Sequence, residues 1–362
     1  MNEYLNELDR IHPYPAKYPL SFAVDTIKAF SAKGDIVYDP FLGSGTSVLA
    51  AGLLGRVGYG TDINPIAILV SKFKQLQLSN SEISELNSFI VSLTSNYQDK
   101  LRNGISLYNY PSIDHWFCQE AKVVLSLLRS EIQKLRNDRL KLFSYTVFSS
   151  IVNTISNQES DTRYAAIEKS INIDSAVRLF IRRFSMAIDI VAKASMLNRI
   201  PCLNNIFLLN SKKCLEILPK CKVDLVVTSP PYPNTYDYYL YHKHRMFWLG
   251  MDYKAAMSQE IGSRREFSSL KAPKDKFNLD LKNILTPVSQ SLSHDGKMVL
   301  VMGDGRIQGS IYEAKSNMEM ICGQLGFKLI DYSFSLLDNT SKSFMKAGRT
   351  KGKKEHILVF AR

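Results

Sequence analysis

The stretch that most constrains the fold of this 362-residue chain is a short apolar run that ends in a glycine-rich turn. Residues 36–38 read Ile-Val-Tyr, and they are followed by Asp39, Pro40 and a turn that ends in Gly-Ser-Gly-Thr at Thr46. β-branched and aromatic residues favour a buried strand. Glycines let the backbone approach a ligand closely, and the hydroxyl groups can cap the helix that starts at residues 48–51. The stretch therefore predicts a strand, a turn and a helix of a layered α/β sheet.

The chemistry of this turn excludes two common nucleotide sites. It has no Gly-Lys-Ser/Thr ending, so it is not a phosphate loop, and it lacks the Gly-x-Gly-x-x-Gly spacing of a dinucleotide fold. An acid at the strand end, followed by Pro-Phe-x-Gly-x-Gly, suits a ligand with an amino-acid head, whose ammonium group needs an acceptor. A second strand over residues 57–61 ends at Asp62. An acid about 20 positions after such a turn is where Rossmann-like sheets bind a ribose diol, although a solvated carboxylate is the alternative.

A further apolar run, residues 223–227, ends in Thr-Ser-Pro-Pro-Tyr at residues 228–232. Neither proline has an N–H to donate, so the backbone here offers carbonyl acceptors and is stiff in φ. The tyrosine supplies a flat face beside those acceptors. Acceptor oxygens beside an aromatic plane suit a planar ring that carries an exocyclic amino group. An ordinary X-Pro-Pro loop would show the same letters, so the motif needs support from the rest of the chain.

The remaining pattern divides the chain into three parts. Residues 1–74 carry a proline-rich arm and the glycine turn, residues 75–203 show long amphipathic helices, and residues 204–362 return to alternating strands and helices. We therefore predict an α/β fold with a seven-stranded sheet and a large helical insertion between the second and third strands. The last two strands, residues 328–334 and 356–360, are expected to pair as a hairpin at one edge of the sheet.

The charge balance favours a polyanionic partner. Lysine and arginine outnumber aspartate and glutamate by 46 to 34, which gives a formal net charge of +12. Aromatic and basic residues interleave after the proline motif, and six basic residues without an acidic one lie between residues 341 and 354. Both features suit stacking on bases and contacts with phosphates, although a solvated loop is the alternative. The predicted nucleic-acid contacts are Tyr236, Lys243, Arg245, Arg264, Arg265, Lys342, Lys346, Arg349, Lys351 and Lys353.

Other classes of site are disfavoured by the sequence. The five cysteines are scattered without a Cys-x-x-Cys pair, which favours reduced thiols in a cytoplasmic protein. His115 has no second histidine or cysteine at ligand spacing, which argues against a metal site. We find neither an apolar run long enough to span a membrane nor the basic-then-apolar order of a secretory signal. We therefore expect a cytoplasmic protein without a metal and without a membrane partner.

Taken together, the proline-rich arm, the Asp-Pro-Phe-Leu-Gly-Ser-Gly-Thr stretch, Asp62 and the Thr-Ser-Pro-Pro-Tyr stretch resemble the motifs of the amino-methylating DNA methyltransferases. The resemblance covers nearly the whole chain except the helical insertion, and the motif order is similar to that of the circularly permuted members. It implies a Rossmann-like class I methyltransferase sheet whose last strand is antiparallel. It also implies S-adenosyl-L-methionine as cofactor, double-stranded DNA as partner, and a companion restriction endonuclease.

The resemblance assigns roles to individual residues. The Ser229 side chain and the Pro230 carbonyl would accept the N–H groups of the target amine, and Tyr232 would stack on a base flipped out of the duplex. The implied catalytic residues are Ser229, Pro230, Pro231 and Tyr232. The implied cofactor-binding residues are Tyr14, Lys17, Asp39, Phe41, Gly43, Gly45, Thr46, Asp62, Ile63 and Asn210, the last at a position where many relatives carry Asp.

The serine before Pro-Pro bears on which base is modified. Family members with Ser at this position more often modify N4 of cytosine, and those with Asp or Asn more often modify N6 of adenine. The sequence therefore predicts N4-cytosine methylation, with adenine N6, an RNA amino methyltransferase and a non-catalytic DNA-binding relative as alternatives. The DNA sequence would be recognised either by residues 75–200 or by the basic stretch 235–280, and the amino-acid sequence does not decide between them.

Overall fold

The computed structural model of the protein describes residues 3–197, 199–336 and 354–362. Its strands are β1 (Ile36–Asp39), β2 (Val57–Asp62), β3 (Gln158–Ser160), β4 (Arg163–Ala166), β5 (Ile206–Leu208), β6 (Val223–Thr228), β7 (Leu292–Gly303), β8 (Gly305–Ile307), β9 (Ser310–Tyr312), β10 (Lys328–Leu336) and β11 (Lys354–Ala361). Its α-helices are α1 (Glu3–Arg10), α2 (Leu20–Phe30), α3 (Thr46–Leu53), α4 (Pro65–Lys74), α5 (Asn80–Arg102), α6 (Ile113–Trp116), α7 (Gln119–Gln133), α8 (Asp138–Val152), α9 (Ile173–Ser195), α10 (Tyr238–Tyr241), α11 (Lys243–Leu249), α12 (Tyr253–Gln259), α13 (Lys276–Ser291) and α14 (Ala314–Gln324).

The chain folds into two compact units, each assembled from separate segments. The helical unit comprises Met1–Pro15, Lys72–Pro201 and Leu240–Tyr253. The sheet unit comprises Ala16–Ser71, Cys202–Tyr239 and Lys254–Arg362. The division expected from the sequence differs, because it placed the N-terminal arm and the segment around α11 with the sheet.

The sheet unit is built on a seven-stranded sheet with the order β10-β11-β7-β6-β1-β2-β5. Every neighbouring pair from β7 to β5 is parallel, whereas β11 runs antiparallel to both β7 and β10. This is the predicted α/β sheet with an antiparallel last strand. The predicted antiparallel pairing of the last two strands at one edge is also present.

The strand order places the ends of β1 and β6 side by side. Tyr38 of β1 lies opposite Val226 of β6, and Asp39 lies opposite Gly60 of β2. The chain continues from β1 to β2 on one side, while β6 pairs with β1 on the other side. This is a topological switch point, the place where open α/β sheets bind ligands beyond the carboxyl ends of their strands.

Close packing fixes the helix that follows the glycine turn. Gly58 of β2 lies so near α3 that a Cβ atom there would be 2.9 Å from Cγ1 of Val48. Elsewhere in the sheet unit, α13 and α14 bury apolar side chains against the strands, with Leu285, Met298 and Leu358 fully buried in one cluster. The burial of such side chains is the main favourable term that holds the strands in this order.

The helical unit is formed by long amphipathic helices, as the three- and four-residue spacing predicts. Its helix α5 begins with a capping box, in which the Ser79 side chain accepts from the Glu82 amide and the Glu82 side chain accepts from the Ser79 amide. The unit also contains a two-stranded antiparallel ribbon, β3–β4. The sequence pattern did not indicate this ribbon, because strands of three and four residues are too short to show a period of two. No described helix is long and apolar enough to cross a membrane.

Candidate active site

Asp39, at the carboxyl end of β1, joins the glycine turn to the Thr-Ser-Pro-Pro-Tyr motif. The Thr228 hydroxyl donates to Asp39 Oδ1 at 2.6 Å, and the Phe41 amide donates to the same oxygen at 3.0 Å. Asp39 Oδ2 accepts from the hydroxyl groups of Ser47 and Tyr18. The carboxyl group is 2% exposed, and this burial raises its pKa, while the four donors act in the opposite direction.

This arrangement changes the role expected for Asp39. A carboxylate has about four lone-pair sites, and four protein donors occupy them here. The sequence predicted that Asp39 would accept from a ligand's ammonium group. Because protein donors occupy its oxygens, Asp39 is not available for that role. The structure uses it to hold the end of β6 against the end of β1.

Asp62, at the end of β2, holds the glycine turn and retains acceptor capacity. Its Oδ2 accepts from the Gly43 amide at 2.8 Å and its Oδ1 accepts from the Asn64 amide at 2.8 Å, with the Ile63 amide nearby. Burial raises the pKa of Asp62 to about 6. Because fewer donors occupy this carboxylate than occupy that of Asp39, it can still accept from a ligand hydroxyl.

The glycine turn adopts the backbone that only glycine tolerates readily. Gly43 has a φ of 51° and Gly45 has a φ of 77°, both in the left-handed region. A Cβ atom on Gly45 would lie 2.6 Å from Ser71 Oγ, so there is no room for a side chain. Thr46 then begins α3 as a buried residue. The turn therefore presents backbone rather than side chains at the switch point.

The Thr-Ser-Pro-Pro-Tyr motif continues from β6, and both the hydroxyl and the ring of its tyrosine contact other strands. Ser229 is half-buried and Pro230 is buried. The Tyr232 hydroxyl donates to Glu355 Oε1 at 2.7 Å, and its ring packs against Gly303. Burial, followed by the charge of Glu355, raises the pKa of Tyr232 well above its usual value, so the phenol keeps its proton.

Of the other predicted cofactor residues, most lie in the sheet unit. Phe41 is half-buried and packs against the core cluster, and Lys17 is half-buried before α2. Asn210 follows β5, and its Nδ2 donates to Gln259 Oε1 at 3.2 Å. Tyr14 instead belongs to the helical unit, where its ring stacks on His242 with the ring centroids 4.8 Å apart.

Two predicted DNA contacts lie in the helical unit and have partners there. Arg245 is fully buried and forms an ion pair with Asp161, so the prediction that it contacts a phosphate is wrong. Its guanidinium group stabilises the interior of this unit. Lys243 is half-buried, with its ammonium group 5.1 Å from the centre of the Tyr253 ring. Burial lowers the pKa of Lys243.

The other predicted DNA contacts divide by exposure. Tyr236 is 5% exposed in the sheet unit, so its ring is not a stacking surface. Arg264 and Arg265 are exposed, and the Arg265 amide donates to Asp237 Oδ1 at 3.0 Å. The remaining predictions fall outside the described residues; they are Lys342, Lys346, Arg349, Lys351 and Lys353.

The structure adds residues that the sequence did not single out. Glu260 accepts from the amides of Tyr238 at 2.9 Å and Tyr239 at 2.8 Å, and so fixes the chain that follows the Thr-Ser-Pro-Pro-Tyr motif. Burial raises the pKa of Glu260 to about 8, with smaller contributions from the charges of Asp237 and Asp62. The spacing of residues in the sequence does not predict this contact, because Glu260 lies in an irregular segment after α12 and its partners lie at the start of α10.

The fold follows from the strand order, the antiparallel β11 and the site at the switch point. It is the sheet of a Rossmann-like methyltransferase. Residues 2–72 match the family model described as DNA methylase. The chain is 29% identical over 257 residues to the Type II methyltransferase M.MvaI of Kocuria varians, covering 65% of this chain and 57% of that protein. It is 25% identical over 262 residues to the Type II methyltransferase M.BsoBI of Geobacillus stearothermophilus, covering 62% of this chain and 48% of that protein.

These matches show that the chain is similar to DNA methylases over residues 2–72 and to Type II methyltransferases over about 260 residues. The chain spans about half the length of these two relatives. Among solved structures, the rRNA methyltransferase aviRa from Streptomyces viridochromogenes is 11% identical, covering 96% of this chain and 87% of that chain, with a TM-score of 0.36. The strand order described above, and not this likeness, identifies the fold.

These similarities support S-adenosyl-L-methionine as the cofactor, and Asp62 and the glycine turn at the switch point fit it. Asp62 keeps acceptor capacity for ribose hydroxyls at the end of β2. The glycine turn fits because Gly43 and Gly45 have positive φ and carry no side chain that would separate a ligand from the backbone. The part of the fit that fails is Asp39 as an ammonium acceptor, since its oxygens are occupied by protein donors.

Proposed function

We propose that the protein methylates DNA, by transfer of a methyl group from S-adenosyl-L-methionine to the exocyclic N4 of a cytosine flipped out of the duplex. The observation that carries the proposal is the hydrogen bond of 2.6 Å between Thr228 and Asp39. It ties the Ser-Pro-Pro-Tyr motif to the glycine turn. Two sequence motifs that lie 189 residues apart thereby act at one edge of one sheet.

The chemistry asked of the protein is mainly positioning. The exocyclic amine is a poor nucleophile, because its lone pair is delocalised into the ring. The cofactor supplies an electrophilic methyl group on a sulfonium when it is bound. Holding the amine in line can supply much of the reduction in barrier. Acceptors that strengthen as the nitrogen gains positive charge stabilise the transition state further.

The residues proposed to do this are those of the catalytic motif. The Ser229 hydroxyl and the Pro230 carbonyl accept the two N–H groups of the amine. Pro230 and Pro231 keep the backbone stiff, and neither offers an N–H that would compete for those acceptors. The Tyr232 ring stacks on the base. The anchored hydroxyl of Tyr232 supports this role, because it limits rotation of the ring.

The choice of cytosine rests on Ser229. A serine presents one small hydroxyl acceptor, where adenine-specific members of the family more often present an acid or an amide. Adenine N6 remains the alternative, and the two outcomes are separated by the modified nucleoside that forms.

Duplex DNA as the substrate is supported by charge. The net charge of +12 favours a polyanion, and the exposed Arg264 and Arg265 are available for phosphate contacts. A base inside a duplex cannot reach the acceptors of the motif, so it must flip out, at a cost of a few kcal/mol. M.MvaI and M.BsoBI are described as Type II methyltransferases, and we extend the proposal to a companion restriction endonuclease.

The test is transfer of a labelled methyl group by the purified protein. We expect label in duplex DNA, little in a matched RNA duplex, and at least about a tenfold loss for Ser229→Ala with unchanged cofactor affinity. Label that appears in RNA and not in DNA would support an RNA amino methyltransferase instead. Failure of the protein to bind S-adenosyl-L-methionine in calorimetry would support a non-catalytic DNA-binding relative.

A further inference from the structure

Two amide side chains meet beyond the end of β5. One belongs to Asn210, a predicted cofactor residue that follows Leu209, and the Leu209 amide donates to the Asp62 carbonyl at 3.0 Å. The other belongs to Gln259, the last residue of α12, which the sequence did not single out. Asn210 Nδ2 donates to Gln259 Oε1 at 3.2 Å. The amide pair therefore lies at the strand end next to Asp62, on the same edge of the sheet.

Backbone groups fix the orientation of both amides. Asn210 Oδ1 accepts from the Lys212 amide at 3.1 Å, so Nδ2 is the atom that faces Gln259. Gln259 Nε2 donates to the Ala255 carbonyl at 3.3 Å, so Oε1 is the atom that faces Asn210. Glu260, the next residue, accepts from two backbone amides and keeps this segment in place. The pair thus presents a donor and an acceptor in a defined order.

A count of donors and acceptors shows what the pair can still bind. An amide nitrogen carries two N–H groups, and an amide oxygen carries two lone pairs. Asn210 Nδ2 and Gln259 Oε1 each use one of these in their mutual bond, and neither atom has a further partner within the described part of the chain. Gln259 is exposed, so a ligand can share or replace this bond at little cost, because water competes for it.

An N–H donor beside an acceptor is the complement of adenine. Adenine presents the N–H groups of its 6-amino substituent beside a ring nitrogen that accepts, and the amides of Asn and Gln suit such an edge. A purine with a 6-oxo group presents an acceptor where adenine has the amino donor. That oxygen would face the Gln259 oxygen, which also accepts. The arrangement therefore discriminates between the two kinds of purine.

We propose that Gln259 is a further cofactor-binding residue, whose side-chain oxygen accepts from the 6-amino group of the adenine of S-adenosyl-L-methionine, while Asn210 donates to the neighbouring ring nitrogen. The inference rests on the proposed function, since it takes this molecule as the methyl donor. Asp62, which keeps acceptor capacity for ribose hydroxyls, lies at the adjacent strand end. Ribose and adenine are joined in the cofactor, so their acceptors belong side by side.

The experiment is calorimetry on the full-length protein with two ligands, S-adenosyl-L-homocysteine and its analogue with hypoxanthine in place of adenine. Neither ligand has a methyl group to transfer, so the readout is a dissociation constant and not turnover. The wild-type protein should bind the adenine ligand at least about tenfold more tightly, because the analogue replaces a hydrogen bond by two facing acceptors. Gln259→Met keeps the length of the side chain and removes the acceptor, and it should lower this preference at least about fivefold.

Two further variants separate contact with adenine from a structural role. Gln259→Glu keeps an acceptor at the same position and should keep the preference for adenine. Gln324→Met, at the exposed end of α14, is the matched control and should leave both dissociation constants unchanged. A loss of folding would weaken both ligands alike, so the ratio of the two constants reports the contact with the base.

Two results would overturn the inference and leave the proposed function standing. One is equal affinity of the wild-type protein for the two ligands, and the other is an undiminished preference for adenine in Gln259→Met. A wild-type protein that binds neither ligand would overturn the proposed function together with the inference.

Discussion

The hydrogen bond from Thr228 to Asp39 can be removed with almost no change in side-chain shape. Thr228 is fully buried, and valine replaces its hydroxyl by a methyl group of similar size. A hydrogen bond to a charged group contributes about 1.5–3 kcal/mol, and Asp39 is a buried carboxylate with Thr228 as one of four donors. We therefore expect Thr228→Val to lower the free energy of unfolding by about 1.5–3 kcal/mol.

The same substitution should also reduce activity, since the bond holds the catalytic motif against the glycine turn. We expect the methylation rate to fall at least about tenfold, which corresponds to about 1.4 kcal/mol of transition-state stabilisation. The unfolding free energy is measured by urea titration, and the rate by single-turnover transfer of a labelled methyl group.

The control for this prediction is Thr228→Ser, which keeps the donor and removes one methyl group. It should cost only about 0.8 kcal/mol of stability, the value for one buried methylene, and should retain most of the activity. A Thr228→Val protein that is as stable and as active as the Thr228→Ser protein would refute the reasoning, because the hydroxyl would then contribute nothing.

Three further predictions concern other parts of the chain. Gly45→Ala places a Cβ 2.6 Å from Ser71 Oγ at a φ of 77°, so calorimetry should show at least about a tenfold loss of cofactor affinity. Arg245→Met removes the ion pair with Asp161 and leaves that carboxylate with the Asn153 side-chain amide as its only donor among the described residues, so thermal unfolding should reveal a loss of at least about 1 kcal/mol. The salt dependence of DNA binding should not change, whereas loss of a phosphate contact would change it by about one unit. Burial lowers the pKa of His244 to about 3. The free energy of unfolding should therefore be highest above about pH 6.5 and fall as the pH is lowered toward 3. Urea titrations of His244→Phe should lack this part of the pH dependence.

The sequence predicted the sheet and its motifs because these are local. Apolar runs, a glycine turn and paired prolines each show themselves within about ten residues, and parallel strands bring their carboxyl ends to one edge. The contact between Thr228 and Asp39 spans 189 residues and that between Tyr232 and Glu355 spans 123 residues. The local spacing of residues cannot predict such pairs, because they depend on strand order and register.

Arg245 shows why composition misleads about exposure. It lies in α11 beside Trp248, and both are fully buried on the same face at a spacing of three residues. Its partner, Asp161, lies 84 residues earlier, between β3 and β4. In the sequence, a basic residue among aromatic residues resembles a nucleic-acid contact. In the structure, the Arg245 side chain is buried and forms an ion pair with Asp161.

The membership of the two units also could not be inferred from the order of motifs. The proline-rich arm up to Pro15 belongs to the helical unit, although it precedes the first strand of the sheet. Within that unit, His12 Nε2 is 2.9 Å from Ser149 Oγ, a contact across 137 residues. Such a contact assigns the arm by packing, which periodicity cannot detect.

The measurement that tests the central claim most directly is nucleoside mass spectrometry of DNA from a host that expresses the protein. We expect N4-methylcytosine in the host with the wild-type protein and a background level in the host with Ser229→Ala. Detection of N6-methyladenine alone would contradict the choice of base. The absence of both modified nucleosides, with folded protein present in the cells, would contradict the proposal that this chain is a DNA methyltransferase.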